Sequence, residues 1–492
     1  MAADFVTQNF WYIFGALFLV GTLLLSRTKH ERFIKIIFLL RTKHGVRHLD
    51  RVATISPSGW RFVADVAIII AYSGFGVLYV SRYRNPAPFM PVLGMLGLTL
   101  AIPLLGPMNA AMAFAVLLAI TAVLWRASLK IQKPVFFIMA AAILFTGTLG
   151  FLGGTTMISY AGALVTGIIG LPGLLIAFLG VQASQIVFAQ STIPGVTPLL
   201  PGVSSSGEIG FIFPGTQIFI PLLSGIATLF ILLASHELCH GILSRAEKIK
   251  VKSMGIATFG LYPIGAFVEP DEQAFERSKS ESRMRVLAMG SFANLVVAAL
   301  SLLLMGLVGF QAVGMMETAG VEIISVQEGM PAAVFEPGTI ITAVNSIPVA
   351  TLDEYLKEAE SLRPGDSVVL ETDQGEFTLT AVPRPEDPGS AQLGYSLQTK
   401  SQLKAGFESQ RPLFDFFISV MSFLSILFLF NFSVAMFNLM PAGIVDGGKM
   451  FSLLLGTYSL SDRSKKWITN MVIYIILGLL LVNALPLGRL FG

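Results

Sequence analysis

Residues 217–243 read QIFIPLLSGIATLFILLASHELCHGIL, an apolar stretch that carries His236-Glu237-Leu238-Cys239-His240 near its end. About 20 apolar residues of helix cross a hydrocarbon layer of roughly 30 Å. Ionisable side chains are costly inside such a layer and are rare there unless they serve a function. The chain has only five histidines, and two of them stand in this pentapeptide. The stretch therefore predicts a membrane helix with chemistry built into it.

The composition of the whole chain agrees with this prediction. Of 492 residues, 54% are hydrophobic and only 13% are charged, which is typical of a polytopic α-helical membrane protein embedded in a lipid bilayer. The net charge of +3 is too small to suggest a nucleic-acid partner. Cys239 is the only cysteine, so an internal disulfide is excluded.

The apolar runs predict about nine or ten transmembrane helices. The stretch 90–125 is ambiguous, because the Gly106-Pro107 break allows either two short helices or one kinked helix. The remaining runs lie near residues 10–25, 61–80, 135–153, 162–180, 217–243, 286–309, 412–440 and 467–486.

Basic residues predict the orientation of these helices. Residues 27–51 and 245–285 each carry eight Lys or Arg, and the turn at 461–466 carries three, so all three segments are expected in the cytoplasm. The N-terminal half agrees with this only if 90–125 is a hairpin, which places Arg126, Lys130 and Lys133 outside. A re-entrant segment somewhere between 150 and 180 is the alternative, and both stay open.

Residues 317–400 differ from the rest of the chain. Fourteen acidic residues stand against four basic ones, and β-branched stretches alternate with turn residues, which predicts a small α+β domain outside the membrane. Leu352–Ser361 is predicted as a helix capped by Thr351 or Asp353. The predicted strands are Val321–Val326, Ile340–Val344, Ser367–Glu371 and Glu376–Val382.

The spacing of His236 and His240 places both imidazoles on one face of a helix, one turn apart. This arrangement suits two ligands of a tetrahedral zinc ion, and we expect one zinc per chain. Glu237 is rotated about 100° from His236, where it could take the proton of a water activated by the metal. A third ligand is needed, and the candidate is Asp446, which follows a turn at the matching end of the helix 412–440. A helix N-cap is the alternative for Asp446.

These motifs resemble the site-2 protease family of intramembrane zinc metalloproteases. The resemblance rests on HExxH at His236–His240 and on NxxPxxxxDG at Asn438–Gly447, and it covers about 217–486. It implies that Asp446 is the third zinc ligand and that Asn438 binds the substrate backbone. Gly290-Ser291-Phe292-Ala293-Asn294 is similar to the small-residue GPxAN element of the family, which gives Asn294 either a supporting role or ordinary helix packing.

The same resemblance suggests how an extended substrate is held. The apolar loop Met254–Val268, with Gly255 and Gly260 as candidate substrate contacts, suits a strand edge that pairs with a peptide. A loop resting on the bilayer surface is the alternative. Residues 190–216, rich in Pro, Gly and Ser, are either a plain external loop or an irregular gate above the site.

The region around Gly320–Ile324, Gly329–Ala332 and Val344–Val349 is similar to a PDZ domain of the protease-associated type. It departs from that pattern at Thr339, where a Gly-Asp pair is usual, so this PDZ-like domain either binds peptide tails or excludes substrates with bulky ectodomains. The chain is thus divided into an N-terminal transmembrane region without an assigned role (1–216), a split protease core (217–310 and 411–492) and the PDZ-like domain (317–400).

The sequence therefore predicts a multi-pass zinc metalloendopeptidase of the cell membrane that hydrolyses transmembrane protein substrates. Its active site is expected toward the cytoplasm and its PDZ-like domain outside. Two alternatives remain: a non-catalytic scaffold of the same fold that binds partners through the PDZ-like domain, and a metal-containing transporter. The sequence leaves the substrate and the oligomeric state open.

Overall fold

The computed structural model describes most of the chain outside the stretch 90–156. The described residues are 10–27, 31–34, 37–43, 45–89, 94, 136, 138–143, 145, 157–188, 191–204, 207–259, 262–327, 329–384, 387, 389–443 and 445–491. The ambiguous stretch 90–125 and most of the predicted span 135–153 lie outside them.

Twelve α-helices are seen among the described residues. They are α1 (Phe10–Ser26), α2 (Val46–Ile55), α3 (Pro57–Val80), α4 (Met157–Ile169), α5 (Leu171–Val187), α6 (Leu222–Ala246), α7 (Glu272–Arg277), α8 (Ser280–Gly314), α9 (Leu352–Ala359), α10 (Arg411–Asn438), α11 (Asp446–Leu455) and α12 (Asp462–Phe491).

The described strands form small antiparallel sheets. They are β1 (Glu31–Ile34), β2 (Ile37–Thr42), β3 (Leu200–Val203), β4 (Ile209–Ile212), β5 (Phe219–Pro221), β6 (Val251–Phe259), β7 (Tyr262–Pro270), β8 (Met316–Val326), β9 (Ile340–Val344), β10 (Ile347–Pro348), β11 (Ser367–Thr372), β12 (Gly375–Thr380), β13 (Val382–Pro383), β14 (Ala391–Gln392) and β15 (Tyr395–Leu403).

Five described helices, α3, α6, α8, α10 and α12, are long and apolar enough to cross a membrane. The most apolar stretches of α6, α8, α10 and α12 are at most 22% buried in the protein, whereas that of α3 is 83% buried. Large side chains on the four exposed helices, such as Leu223 and Phe230 on α6, face outward. The protein is thus a multi-pass membrane protein in which α3 is enclosed by other elements.

The structure corrects three details of the N-terminal half. The single span predicted near 162–180 is two shorter helices, α4 and α5, which meet at Gly170 (φ 76°) and pack against each other. Each of these helices, with 13 and 17 residues, has fewer than the roughly 20 residues of a full span. The strands β3, β4 and β5 pair into a three-stranded sheet, where the sequence suggested either a plain external loop or an irregular gate over residues 190–216.

The third correction concerns the start of the helix that carries the histidines, which was predicted over the apolar run 217–243. The helix α6 begins at Leu222, because β5 occupies the residues before it. At about 1.5 Å per residue, His236 lies roughly 21 Å along this helix, compared with roughly 28 Å for a helix that begins at residue 217.

A four-stranded sheet joins the N-terminal region to the region around α6. Its order is β1-β2-β6-β7, so β2 pairs with β6 along Ile37–Thr42 and Met254–Phe259, and β7 lies at one edge. The sheet that contains β6 and β7 is therefore completed by β1 and β2, which lie more than 200 positions earlier in the sequence.

The chain divides into two compact units, residues 1–301 with 425–492, and residues 302–424. The smaller unit has a sheet of order β12-β11-β9-β8-β15 around a core that includes Val321, Ile341 and Leu370. The ends of the predicted strands differ from the observed ends by zero to five residues. Thr351, one of the two proposed caps, caps α9 in a capping box with Glu354. The strand β15, which the sequence analysis did not propose, pairs with β8.

Candidate metal centre

Three side chains of the larger unit converge on one point. His236 and His240 lie one turn apart on α6, and Asp446 is the first residue of α11. The Nε2 atom of His240 lies 3.1 Å from Nε2 of His236 and 3.1 Å from Oδ2 of Asp446, and the His236–Asp446 distance is 3.4 Å. The fold thus brings together the three residues that the sequence analysis proposed as ligands.

These distances suit a tetrahedral zinc ion. Two ligand atoms bonded at about 2.0–2.1 Å to such an ion are roughly 3.3–3.4 Å apart. Two imidazoles and one carboxylate leave a fourth position open, as catalytic zinc sites do. The donor set and its spacing therefore fit zinc.

The ring of His240 is oriented by the start of α8. Its Nδ1 atom lies 2.7 Å from the backbone oxygen of Val286, so Nδ1 carries the proton and donates it. The Nε2 lone pair is then directed toward His236 and Asp446, which is the state that binds a metal. The Nδ1 atom of His236 has no hydrogen-bond partner among the described residues.

Glycines make room for the ligands. A Cβ atom on Gly290 would lie 2.2 Å from Nε2 of His240 and 2.7 Å from Nε2 of His236. On the other side of the site, Cβ atoms on Gly447 and Gly448 would lie within 2.3 Å of the backbone of Leu439 and Ala442. The two glycines after Asp446 thus let the start of α11 fold tightly onto the end of α10.

Glu237 is held by the β-sheet. Its Oε2 atom accepts a hydrogen bond of 2.7 Å from the backbone N–H of Val268 on β7. Glu237 follows His236 directly and is not one of the three grouped ligands. Its carboxylate is therefore fixed between the helix that carries the histidines and the edge strand of the sheet.

The other proposed residues take varied positions. Asn294 is fully buried, and its Oδ1 atom accepts a hydrogen bond from Ser235, next to His236, while its Nδ2 atom has no partner among the described residues. Asn438 ends α10, is half-buried, and has a side chain free of hydrogen bonds within the described part of the chain.

The two glycines proposed as substrate contacts differ in position. Gly255 lies on β6 between Arg41 of β2 and Phe267 of β7, so both of its strand edges are already paired. Gly260 lies outside the described residues. Among the strands of this hairpin, only β7 offers an edge.

Sequence reasoning missed the groups that support the ligands. Val286 and Val268 act through backbone groups, which leave no signal in residue type. Gly290 was noted as part of a small-residue element, but its packing against both histidines was not foreseen. Tyr72 of α3 was also missed, although its hydroxyl donates a hydrogen bond of 3.0 Å to the backbone oxygen of Gly447.

The fold and the site define a class: a multi-pass membrane protein with a His-His-Asp group at the ends of two helices. The chain belongs to Peptidase family M50, because the sequence profile of this family matches residues 224–482, about half of the chain. This agrees with the resemblance to the site-2 protease family, and α1 to α5 precede the matched range.

Two curated relatives are similar to parts of the chain. An uncharacterised protein of Methanocaldococcus jannaschii is 30% identical over 230 residues, which cover 46% of this chain and 56% of the relative. A protein of Nostoc sp., named as a candidate zinc metalloprotease, is 27% identical over 222 residues, which cover 37% of this chain and 59% of the relative. The chain thus spans a little over half the length of these relatives.

Two solved structures that are similar to part of the chain are PDZ domains. Those of SdrC-like proteins from Listeria monocytogenes and Listeria innocua are 24% and 21% identical, and each covers 16% of this chain. The matches cover 86% and 93% of these domains, with a TM-score of 0.15 in both cases, which is too low to carry an argument.

Proposed function

We propose that this protein is a zinc metalloendopeptidase that cleaves membrane protein substrates within or next to their transmembrane segments. The observation that carries the proposal is the spacing of His236, His240 and Asp446 at 3.1–3.4 Å, on elements of a membrane-spanning unit. Family membership and the named Nostoc relative support the same chemistry.

Each residue of the site has a separate proposed role in peptide hydrolysis. A bound zinc ion would polarise the scissile carbonyl and lower the pKa of a water molecule. Glu237 takes a proton from the attacking water and passes one to the leaving amine, which is the part of a general acid and base. The Val268 N–H holds the Glu237 carboxylate in place, and the Val286 oxygen holds the His240 ring.

The edge of β7 is the place where an extended substrate would pair. The N–H of Val268 points away from β6, because it binds Glu237. The backbone N–H and C=O groups of successive strand residues point alternately toward the two sides of the strand. The backbone groups of Ala266, two residues before Val268, therefore also point away from β6. A substrate strand on this edge would lie beside Glu237, and Asn438 would bind its backbone from the end of α10.

Cleavage is proposed toward the cytoplasmic side of the membrane. The basic segments at 27–51 and 245–285 include β1, β2, β6, β7 and the start of α8. Two of these elements contact the site: β7 binds Glu237 through Val268, and α8 binds His240 through Val286. Short basic segments next to membrane helices favour the cytoplasm. The smaller unit, which is acidic, then lies outside.

A groove in the smaller unit favours peptide binding over a purely steric filter. It has a volume of about 910 Å³ and lies between α9 and β15, with Leu356, Leu393 and Leu397 among its lining residues. A helix beside an edge strand is a common site for an added peptide strand. Tyr355 and Tyr395 join their hydroxyls at 2.5 Å in this groove, and burial raises the pKa of both.

The proposed function is tested with purified protein in liposomes and a model substrate that has one transmembrane segment. We expect cleavage that stops when a zinc chelator is added and returns when zinc is restored. Mass spectrometry of the fragments should place the cut within or beside the transmembrane segment. Cleavage that persists without metal would exclude the proposal, and so would binding of the substrate without any cleavage.

A further inference from the structure

We infer that α3, which precedes the residues matched by the family profile, positions the metal site, and that Tyr72 is its positioning residue. The inference rests on the proposed metal site but not on the identity of the substrate. It is drawn from contacts that α3 makes with each of the segments that carry or orient a ligand.

The first contact holds Asp446. Tyr72 is 2% exposed, and its hydroxyl donates a hydrogen bond of 3.0 Å to the backbone oxygen of Gly447, the residue after Asp446. A buried hydroxyl needs such a partner, and removing it leaves the geometry of the acceptor less constrained. Tyr72 therefore fixes the first turn of α11, from which the Asp446 carboxylate projects.

The second contact holds the segment that orients His240. Asp65 of α3 is fully buried and binds Arg285 through two hydrogen bonds of 2.7 and 3.2 Å. Arg285 immediately precedes Val286, whose backbone oxygen binds Nδ1 of His240. A two-pronged pair between a guanidinium and a carboxylate fixes direction as well as distance.

The third contact holds the end of the histidine helix. Arg61, near the start of α3, donates a hydrogen bond of 2.7 Å to the backbone oxygen of Ala246 and pairs with Glu247 at 3.2 Å. Glu247 in turn binds Arg285 at 3.1 Å. One helix thus connects the C-terminal end of α6, the start of α8 and the start of α11.

A kink in α3 sets the position of Tyr72. Ser73, the next residue, has φ 46° and ψ −119°, a conformation that is strained for any residue except glycine. The Ser73 hydroxyl donates a hydrogen bond of 2.8 Å to the oxygen of Gly167. Gly170, between α4 and α5, packs so closely that a Cβ there would lie 2.2 Å from the oxygen of Ala71.

These contacts are specific to α3, since its apolar stretch is 83% buried in the protein while those of the other four long helices face outward. A helix that only anchored the chain in lipid would not need a buried Asp, a buried Tyr and a strained kink. The contacts of α3 thus fix the relative positions of the three segments that carry or orient the proposed metal ligands.

The test is the substitution Tyr72→Phe, which removes only the hydroxyl, in the full-length protein. We expect zinc affinity, measured by competition with a chelator, to fall by about tenfold, the lower end of what supporting groups of metal ligands contribute. The visible absorption of the cobalt-substituted protein should shift, because the geometry around the ion changes. The control is Tyr474→Phe on α12, which removes the hydroxyl of a side chain that is 69% exposed.

A second variant tests the kink and does not depend on Tyr72 being replaced. Gly170→Ala should displace Ala71 and Tyr72 and weaken zinc binding in the same way, whereas Gly180→Ala on α5, where a Cβ meets nothing within 4 Å, should not. Wild-type affinity and an unchanged cobalt spectrum in both Tyr72→Phe and Gly170→Ala would overturn the inference. A wild-type protein that binds zinc but cleaves nothing would instead overturn the proposed function.

Discussion

The ligand atoms of His236 and His240 lie against the backbone of α8 at Gly290. The site therefore requires a residue without a Cβ atom at position 290 as well as the imidazole side chains. A Cβ atom at residue 290 would lie 2.2 Å from Nε2 of His240, which is closer than unbonded atoms approach. The His240 ring cannot turn away, because its Nδ1 atom is bound to the backbone oxygen of Val286, about one turn before Gly290 on α8.

Gly290→Ala should therefore displace the imidazoles and weaken zinc binding by about tenfold or more, as loss of correct ligand orientation does. Gly306→Ala on the same helix is the matched control, since a Cβ there meets nothing within 4 Å. Chelator competition on both variants measures the effect. Equal affinity of the two variants would show that the packing at Gly290 does not hold the ligands.

Among the secondary-structure elements, β7 is the strand that contacts Glu237, the proposed general base. The N–H of Val268 binds Glu237, and the Val268 side chain packs with Leu49 and Val251. The strand thus has two separable functions, one in its backbone and one in its side chain.

Val268→Pro removes the N–H and should reduce the turnover number strongly, because Glu237 loses the donor that orients it, while zinc content stays the same. Proline is tolerated on edge strands, where no ladder hydrogen bond is lost. Val268→Ala keeps the N–H and serves as the control for lost packing. If both variants lose turnover equally, the hydrogen bond to Glu237 has no role of its own.

The elements also show how far the sequence alone could reach. The smaller unit was predicted closely, because alternating β-branched residues and the Thr351 cap are local signals, and Ile340–Val344 was predicted to the residue. His236, His240 and Asp446 were proposed together because HExxH and the Asp-Gly turn are local signals as well, and the fold brings these three side chains within reach of one another. The β2–β6 pairing and the Tyr72–Gly447 contact join residues more than 200 positions apart, and nothing local specifies them.

One signal for these long-range contacts was present in the sequence. Asp65 is an ionisable residue inside the apolar run 61–80, and such residues need a partner within the protein. Its partner Arg285 stands at the start of another apolar run, so a search for opposite charges at the ends of helices could have paired them.

For the molecule as a whole, the proposed orientation places residues 317–400 outside the cell and the basic turn at 461–466 in the cytoplasm. This is tested with single cysteines in a Cys239→Ala background and a reagent that does not cross membranes. Gln374→Cys, exposed in the smaller unit, should be labelled from outside in intact cells. Ser461→Cys, in the basic turn before α12, should be labelled only after the cells are opened. The reverse pattern would invert the proposed topology.

The central claim is that His236, His240 and Asp446 hold a zinc ion and that Glu237 moves the proton in peptide cleavage. It is tested most directly by measuring zinc content and turnover side by side in the wild type and in Glu237→Ala. We expect about one zinc per chain in both proteins, because all three proposed ligands are intact, and cleavage of the transmembrane substrate in the wild type alone. Undiminished cleavage by Glu237→Ala, or a wild type without zinc, would contradict it.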